Sequence, residues 1–401
     1  MNKLTIAYVA DEHYLPYLKV SMASVRRYNP KAQFVILATK PFDLPGAEIF
    51  TFVPDTDKFK FRERDRMREG VYYKLYLPLL PYDKVLYLDA DVLCQRPLND
   101  LWAEKCDFIC ATESHNFGKV QAKELGLDKY AITGMMLMNL KALRTDNFTQ
   151  KCLKKLDEIT PKWHDETVIN KTYHNKIRFI DKKYNYCKAR EYDDPIPESE
   201  AYLLHYVGKR QKADFLALDD FSGLDPIKCE LRGKSVAIVG NSEKILTKNQ
   251  GAEIDRHDIV IRFNKGFPRA EIGLKTDILF LACTLTPAEL QCFNARYTVK
   301  RSKLCKTECD YSISSSDRAR LVQTPNDVQK RRFKKVSQAS TGFVALNFAL
   351  SCGCKSIDLY GFDFFQTPTY YNPQGYFTLH NGSAEENKVL EYAKWGLIKI
   401  H

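Results

Sequence analysis

Two aspartates lie at the end of an apolar run in this 401-residue chain, Lys84-Val85-Leu86-Tyr87-Leu88-Asp89-Ala90-Asp91. On an extended backbone, residues two apart leave by the same face. Two carboxylates on one face repel unless a cation sits between them. A hard divalent ion such as Mn²⁺ or Mg²⁺, itself bridged to phosphate oxygens, meets that need. An acidic turn capping the next helix is the other reading. His205 closes the apolar Leu203-Leu204 and precedes Tyr206-Val207-Gly208-Lys209. It reads either as a packed histidine or as an imidazole ligand to the same ion, with Lys209, Arg210 and Lys212 over a diphosphate. His380 stands in a polar loop five residues before Glu385. There an imidazole can act as a general base or simply face solvent.

These groups need rigid elements to hold them. Thr5–Ala10 reads as a strand, Leu18, Met22 and Val25 as a helix, and Gln33–Ala38 as the next strand, the opening of a parallel α/β sheet. Asp11, just past the first strand, sits where such sheets bind ligands or where a helix is capped. A charged segment, 62–68, reads as helical. Gly134 opens the buried run Met135–Leu140, as a point of close backbone approach or as a turn glycine. Asp219–Pro226 has linker composition, dividing the chain into domains 1–222 and 231–401. A second α/β unit then starts with the strand Ser235–Val239, and its turn Gly240-Asn241-Ser242 is one at which a phosphate can meet backbone amides. Strands at Asp258–Asn264 and Ile357–Asp363 follow, with a helix opening at Ser340-Thr341-Gly342 between them.

Composition narrows the function. Hydrophobic residues at 44% and charged residues at 28% suit two soluble domains with full cores. No apolar run is long enough to cross a bilayer and the amino terminus enters a strand directly, so secretion and membrane spanning are not expected. The twelve cysteines are scattered, several in apolar runs, as buried thiols in a reducing, cytoplasmic compartment would be. A net charge of +11 suits anionic ligands and, through a run such as Lys330–Lys335, peripheral contact with an anionic membrane. No nucleic-acid-binding signature is present.

Ala10-Asp11, Tyr72–Pro81, Tyr87–Asp91, Gly134–Asn139, Asp165–Asn170 and His205–Gly208 together resemble glycosyltransferase family 8 over residues 1–215. That family includes glycogenin and bacterial lipooligosaccharide galactosyltransferases. The resemblance implies the type-A nucleotide-binding fold, Mn²⁺ (Mg²⁺ as the alternative), a UDP-sugar donor and retention of configuration. By position, Asp89, Asp91 and His205 would hold the metal and Asp11 would contact the uracil end. Lys74, Gly134, Gly208 and Lys209 would line the donor, and Asp165 and Glu166 would face its sugar. Glu166 replaces a usual Gln, Lys74 a usual Arg, and Gln211 a usual Lys.

Over residues 231–392, Val236–Asn264, Ser340–Phe362, Tyr370-Tyr371-Asn372 and His380-x-x-x-x-Glu385 resemble the sialyltransferases of family 29. The resemblance implies a Rossmann-like domain that needs no metal or other cofactor and inverts a CMP-sugar such as CMP-sialic acid or a Kdo analogue. Asn241, Ser242 and Asn264 would meet the CMP moiety, and Ser340, Thr341 and Gly342 the donor's anionic groups. His380 would deprotonate the acceptor. Val236 stands where animal members carry a bridging cysteine, and Tyr370 where histidine is frequent. The two resemblances imply a bifunctional cytoplasmic enzyme at the inner face of a bacterial inner membrane, extending a lipooligosaccharide or capsule glycan. The alternatives are one active domain with a docking partner domain, or a non-catalytic basic binding protein.

Overall fold

Residues of the apolar runs alternate between two cores, and this alternation sets the first sheet. In the strand Lys84–Leu88, Val85 and Tyr87 enter one hydrophobic cluster while Leu86 and Leu88 enter the other. A strand buried on both faces reads as continuous apolar sequence. The structure is a computed structural model that describes residues 3–63, 69–114, 116–188, 196–208, 211, 215–216, 218, 221–301, 304–313, 339–374 and 380–401. Lys209, Arg210, Lys212, Lys330–Lys335 and most of the charged segment 62–68 lie outside the described residues.

The fold divides into Met1–Ala217 and Leu218–His401. The first unit is built on β1 (Thr5–Val9), β2 (Gln33–Ala38), β3 (Glu48–Thr51), β4 (Lys84–Leu88), β5 (Val92–Cys94), β6 (Ile109–Glu113), β7 (Ala131–Asn139), β8 (Ile177–Ile180), β9 (Tyr186–Cys187) and β10 (Leu203–His205). Seven of these form a mixed sheet in the order β3-β2-β1-β4-β7-β6-β8, with β7 antiparallel to both neighbours. β5, β10 and β9 form a small second sheet. The chain runs outward from β1 to β2 and β3, then returns to place β4 on the other side of β1. Open α/β sheets bind ligands at the carboxyl ends of strands flanking such a reversal. Asp11 and Asp89 follow β1 and β4 at those ends.

The second unit is a parallel sheet of β11 (Ser235–Val239), β12 (Ile259–Phe263), β13 (Ile278–Leu281), β14 (Tyr297–Lys300), β15 (Tyr311–Ser312), β16 (Ser356–Tyr360) and β17 (Lys399–Ile400). Its order is β15-β14-β13-β12-β11-β16-β17, so the reversal falls between β11 and β16.

Three local expectations are corrected. Asp89-Ala90-Asp91 is not extended strand: β4 ends at Leu88, and the Val92 N–H donates to the Asp89 carbonyl at 3.1 Å, closing a turn. The carboxylates converge because the chain reverses, not because of the pleat. Asp219–Pro226 is not all linker, since a 3₁₀ turn at Ser222–Leu224 runs into the helix Asp225–Leu231. Pro226 there occupies the first helical turn, where its missing N–H costs nothing. The strand predicted to reach Asp363 stops at Tyr360, because Gly361 turns with φ 66°.

Candidate active sites

In the first unit, ligand atoms of Asp89, Asp91 and His205 all lie within 4.8 Å of one another, the one such cluster among the described residues. His205 Nε2 is 3.3 Å from an Asp91 oxygen and 3.5 Å from an Asp89 oxygen. Pairing of β10 with β5 carries the imidazole to the turn: His205 is opposite Val92, and the Tyr206 N–H donates to the Asp91 carbonyl at 3.0 Å. Burial opposes a charge on the ring, but the Asp91 and Asp89 carboxylates override it and hold His205 above the ordinary histidine range. Its Nδ1 is buried without a hydrogen-bond partner.

Gly134 stands in the middle of β7, so it is not a turn glycine. A Cβ there would fall 2.0 Å from His205 Cε1 and 2.6 Å from Nδ1. Its carbonyl accepts the Asp89 N–H at 2.8 Å. One residue thus clears space for the imidazole and ties down the acidic turn. Two carboxylates and one imidazole, converging on one point, form a donor set that suits Mn²⁺ and also accommodates Mg²⁺.

Lys74 joins this cluster to a third carboxylate. It lies on the 3₁₀ helix Glu69–Leu79, and its buried ammonium is 3.3 Å from Asp89 and 3.1 Å from Asp165. Burial pulls its pKa down, and the two carboxylates more than reverse this. Asp165 and Glu166 open the helix His164–Tyr173. Thr133 receives both: its hydroxyl donates to Asp165 at 3.1 Å and its backbone N–H to Glu166 at 3.2 Å. Desolvation raises the Asp165 pKa. Desolvation, then the Asp165 charge, pushes Glu166 up to about 7. Asp11 caps the short helix Glu12–Tyr14, accepting the His13 N–H at 2.9 Å. Gly208 follows the histidine strand with φ 93°.

The raised Glu166 pKa has a measurable consequence. The folded protein keeps a proton that the unfolded chain gives up near its ordinary value of 4.5. This contribution to stability is therefore complete below that value and is lost as pH rises through about 7. Glu166→Gln is expected to match the wild type in urea unfolding at about pH 4 and to be the more stable at about pH 8. Parallel pH profiles for the two proteins would refute the assignment.

In the second unit, Asn241, Ser242, Asn264, Ser340, Thr341, Gly342 and His380 all line one cavity of about 290 Å³ at the β11/β16 reversal. Asn241 donates its amide to the Phe263 carbonyl at 3.1 Å, and the Asn264 side chain accepts the Ala282 N–H at 2.8 Å. Asn241 thereby ties the end of β11 to the end of β12, and Asn264 ties the end of β12 to the end of β13. Ser340 caps the buried helix Thr341–Cys352, accepting the Phe343 N–H at 3.1 Å.

Glu385, read from the sequence only as part of a motif, has a definite task here. Its two oxygens accept the Ser340 backbone N–H and hydroxyl, each at 2.6 Å. Burial raises its pKa, and the Ser340 hydrogen bonds oppose the rise. Asp363, which the sequence did not single out, lines the cavity and accepts from Ser242 at 3.0 Å and from the Thr367 N–H at 2.9 Å. Tyr370 is not part of the lining. Its hydroxyl donates to the Phe267 carbonyl at 3.1 Å, beneath the Arg269 guanidinium.

Residues 5–213 match the sequence model of glycosyl transferase family 8, and residues 215–308 match that of glycosyltransferase family 29 (sialyltransferase). The second match ends before Ser340 and His380. A putative glycosyltransferase of Haemophilus influenzae is 26% identical over 214 residues, 46% of this chain and 63% of the relative. The lipopolysaccharide 1,3-galactosyltransferase of Salmonella typhimurium is 27% identical over 243 residues, 52% of this chain and 72% of the relative. The chain thus spans under two thirds of the first relative's length. The crystal structure of galactosyltransferase LgtC with donor and acceptor sugar analogs aligns with a TM-score of 0.48 at 20% identity, covering 54% of this chain and 95% of that one. With more than half of its residues matched to one family model, the chain belongs to glycosyl transferase family 8.

Proposed function

We propose that the first unit transfers a galactosyl or glucosyl residue from a UDP-sugar to an oligosaccharide or glycolipid acceptor, with retention and with Mn²⁺ bound. The observation that carries this reading is the convergence of Asp89, Asp91 and His205 beside the Lys74–Asp165 pair. These three side chains would hold the ion, which when bound supplies a Lewis acid for the diphosphate leaving group. The residues of the chain do the rest. Lys74 balances two carboxylates, so a dianionic diphosphate bound at the ion would not face bare negative charge. Asp165 and Glu166, braced by Thr133, present carboxyl groups that stabilise positive charge developing on the sugar. The lipopolysaccharide galactosyltransferase relative supports a bacterial cell-surface glycan as the acceptor.

For the second unit we infer transfer of sialic acid or a related acid sugar from a CMP donor, with His380 as the base on the acceptor hydroxyl. The reading is supported by the single cavity that gathers seven expected residues, and by the partial match to family 29. One observation favours a rival in which this unit only docks the acceptor. The described residues that line the cavity include Asp363 and Glu385 but no lysine or arginine to meet a doubly anionic donor.

Donor hydrolysis by the intact chain separates these readings. UDP release from UDP-galactose or UDP-glucose should require Mn²⁺ and vanish with EDTA or in Asp91→Ala. CMP release from CMP-sialic acid should ignore EDTA and vanish in His380→Ala. UDP release without CMP release from any acid-sugar donor would leave the second unit as a docking module. No release of either nucleotide, with lipooligosaccharide present, would sink the enzyme reading for both.

A further inference from the structure

The turn after β16 reads Gly361-Phe362-Asp363-Phe364-Phe365, and its backbone is strained at two adjacent aromatic residues. Phe364 has φ 54° and Phe365 φ 68°. In that region the Cβ crowds the carbonyl oxygen, and only glycine and asparagine enter it readily. Four of the eight non-glycine residues with positive φ among those described are asparagines, and Phe364–Phe365 is the one adjacent pair. Bulky residues persist there only when their surroundings over-determine the conformation, a situation concentrated at functional sites.

The surroundings are visible. The Asp363 carboxylate is tied to Ser242 and to the Thr367 N–H, which fixes the centre of the turn. The Phe364 carbonyl fits against Gly382, where a Cβ would lie 2.2 Å from the oxygen. What the strain achieves is a ring placement. Phe365 stacks on the His380 imidazole, with centroids 5.4 Å apart and planes 27° apart, and both residues line the cavity.

We propose that Phe365 is a positioning residue, held in a strained turn so that its ring fixes the plane of the His380 imidazole at the cavity wall. This rests on the reading of His380 as the base of the second unit. Stacking restricts the imidazole to orientations that share the Phe365 plane, on a backbone that leads directly into the Asn381 cap of the helix Gly382–Lys394. Loss of the ring then lowers the fraction of encounters with correct geometry without weakening donor binding.

Histidine-labelled NMR of the intact chain tests the stack directly, with the His380 signals identified by their loss in His380→Ala. In the wild type and in Phe365→Tyr these signals should carry an upfield ring-current shift, which Phe365→Leu removes. In CMP release, Phe365→Leu and Phe365→Gly should lower kcat by about 10- to 100-fold with KM for the donor unchanged, and Phe365→Tyr should stay near the wild type. Phe365→Gly should melt close to the wild type, because relief of strain at this φ offsets the lost ring contact and the greater freedom of glycine in the unfolded chain. A His380 signal unmoved by Phe365→Leu overturns the proposal. So does a Phe365→Gly protein that loses Tm and turnover together, since that describes a packing residue. A shifted His380 signal in a wild-type chain that releases no CMP supports the stack and overturns the donor reading instead.

Discussion

Gly134→Ala is expected to lower Mn²⁺-dependent UDP release on the order of 100-fold, for the addition of one methyl group. The new Cβ would lie 2.0 Å from His205 Cε1, a separation that neither residue can keep. The backbone at Gly134 cannot yield readily, because its carbonyl accepts the Asp89 N–H at 2.8 Å and the adjacent pairs Met135–Leu88 and Met136–Ala111 hold the strand beside it. The imidazole must therefore swing away from Asp89 and Asp91, and a displacement of about an ångström in a positioning group costs roughly two orders of magnitude. Initial rates across a Mn²⁺ titration, with thermal unfolding as a control for folding, provide the check. Turnover equal to wild type would mean that His205 is not part of the reacting centre.

Lys74→Met should act first on stability. The substitution keeps the bulk of the side chain and removes the charge that lies 3.3 Å from Asp89 and 3.1 Å from Asp165. Breaking a buried ion pair by removing one partner leaves uncompensated charge, at a cost of about 3–5 kcal/mol. The deficit should depend on pH with a definite sign. Asp165 already has a raised pKa from desolvation, and loss of Lys74 removes a cation that held it down. Its folded-state pKa then lies still further above the unfolded value, so stability is retained at low pH and lost as pH rises through the folded pKa. Urea unfolding at about pH 4 and about pH 8 should show a small deficit at the first and the full one at the second. A deficit independent of pH would assign the loss to packing of the lysine stem rather than to charge.

Much of this was legible in the chain itself, and the reasons differ by residue. Apolar runs such as Lys84–Leu88 and Ser235–Val239 carry their burial in their composition, so the two α/β units and the strand ends that bear Asp11, Asp89 and Gly240 could be placed. The grouping of Asp89, Asp91 and His205 was expected, but by the wrong geometry. The pleat argument assumed strand where the chain turns, and a turn has no periodicity to reveal it. The task of Gly134 was only half visible, because its neighbour is a side chain 71 positions away. Lys74 could be placed through family resemblance, yet its bridge to Asp165 depends on how the 3₁₀ helix Glu69–Leu79 lies over the sheet. Nothing in the composition of Phe364-Phe365 announces a left-handed backbone, since phenylalanine is among the residues least suited to it. The strain is imposed by neighbours, and neighbours are what a linear reading lacks.

The double hydrogen bond from Glu385 to Ser340 bears on how this cavity could be inherited or transplanted. The two residues stand 45 positions apart, yet the carboxylate satisfies the backbone N–H and the hydroxyl of the residue that caps the helix Thr341–Cys352. Neither half is useful alone. A serine without its acid would leave a cap under-supported, and an acid without its serine would be buried without the two donors that it faces. Substitutions at these positions should therefore be tolerated in pairs and punished singly, which makes them a unit of covariation. A designer grafting the cavity onto another parallel sheet would need to carry both segments, in their mutual spacing, as a single part.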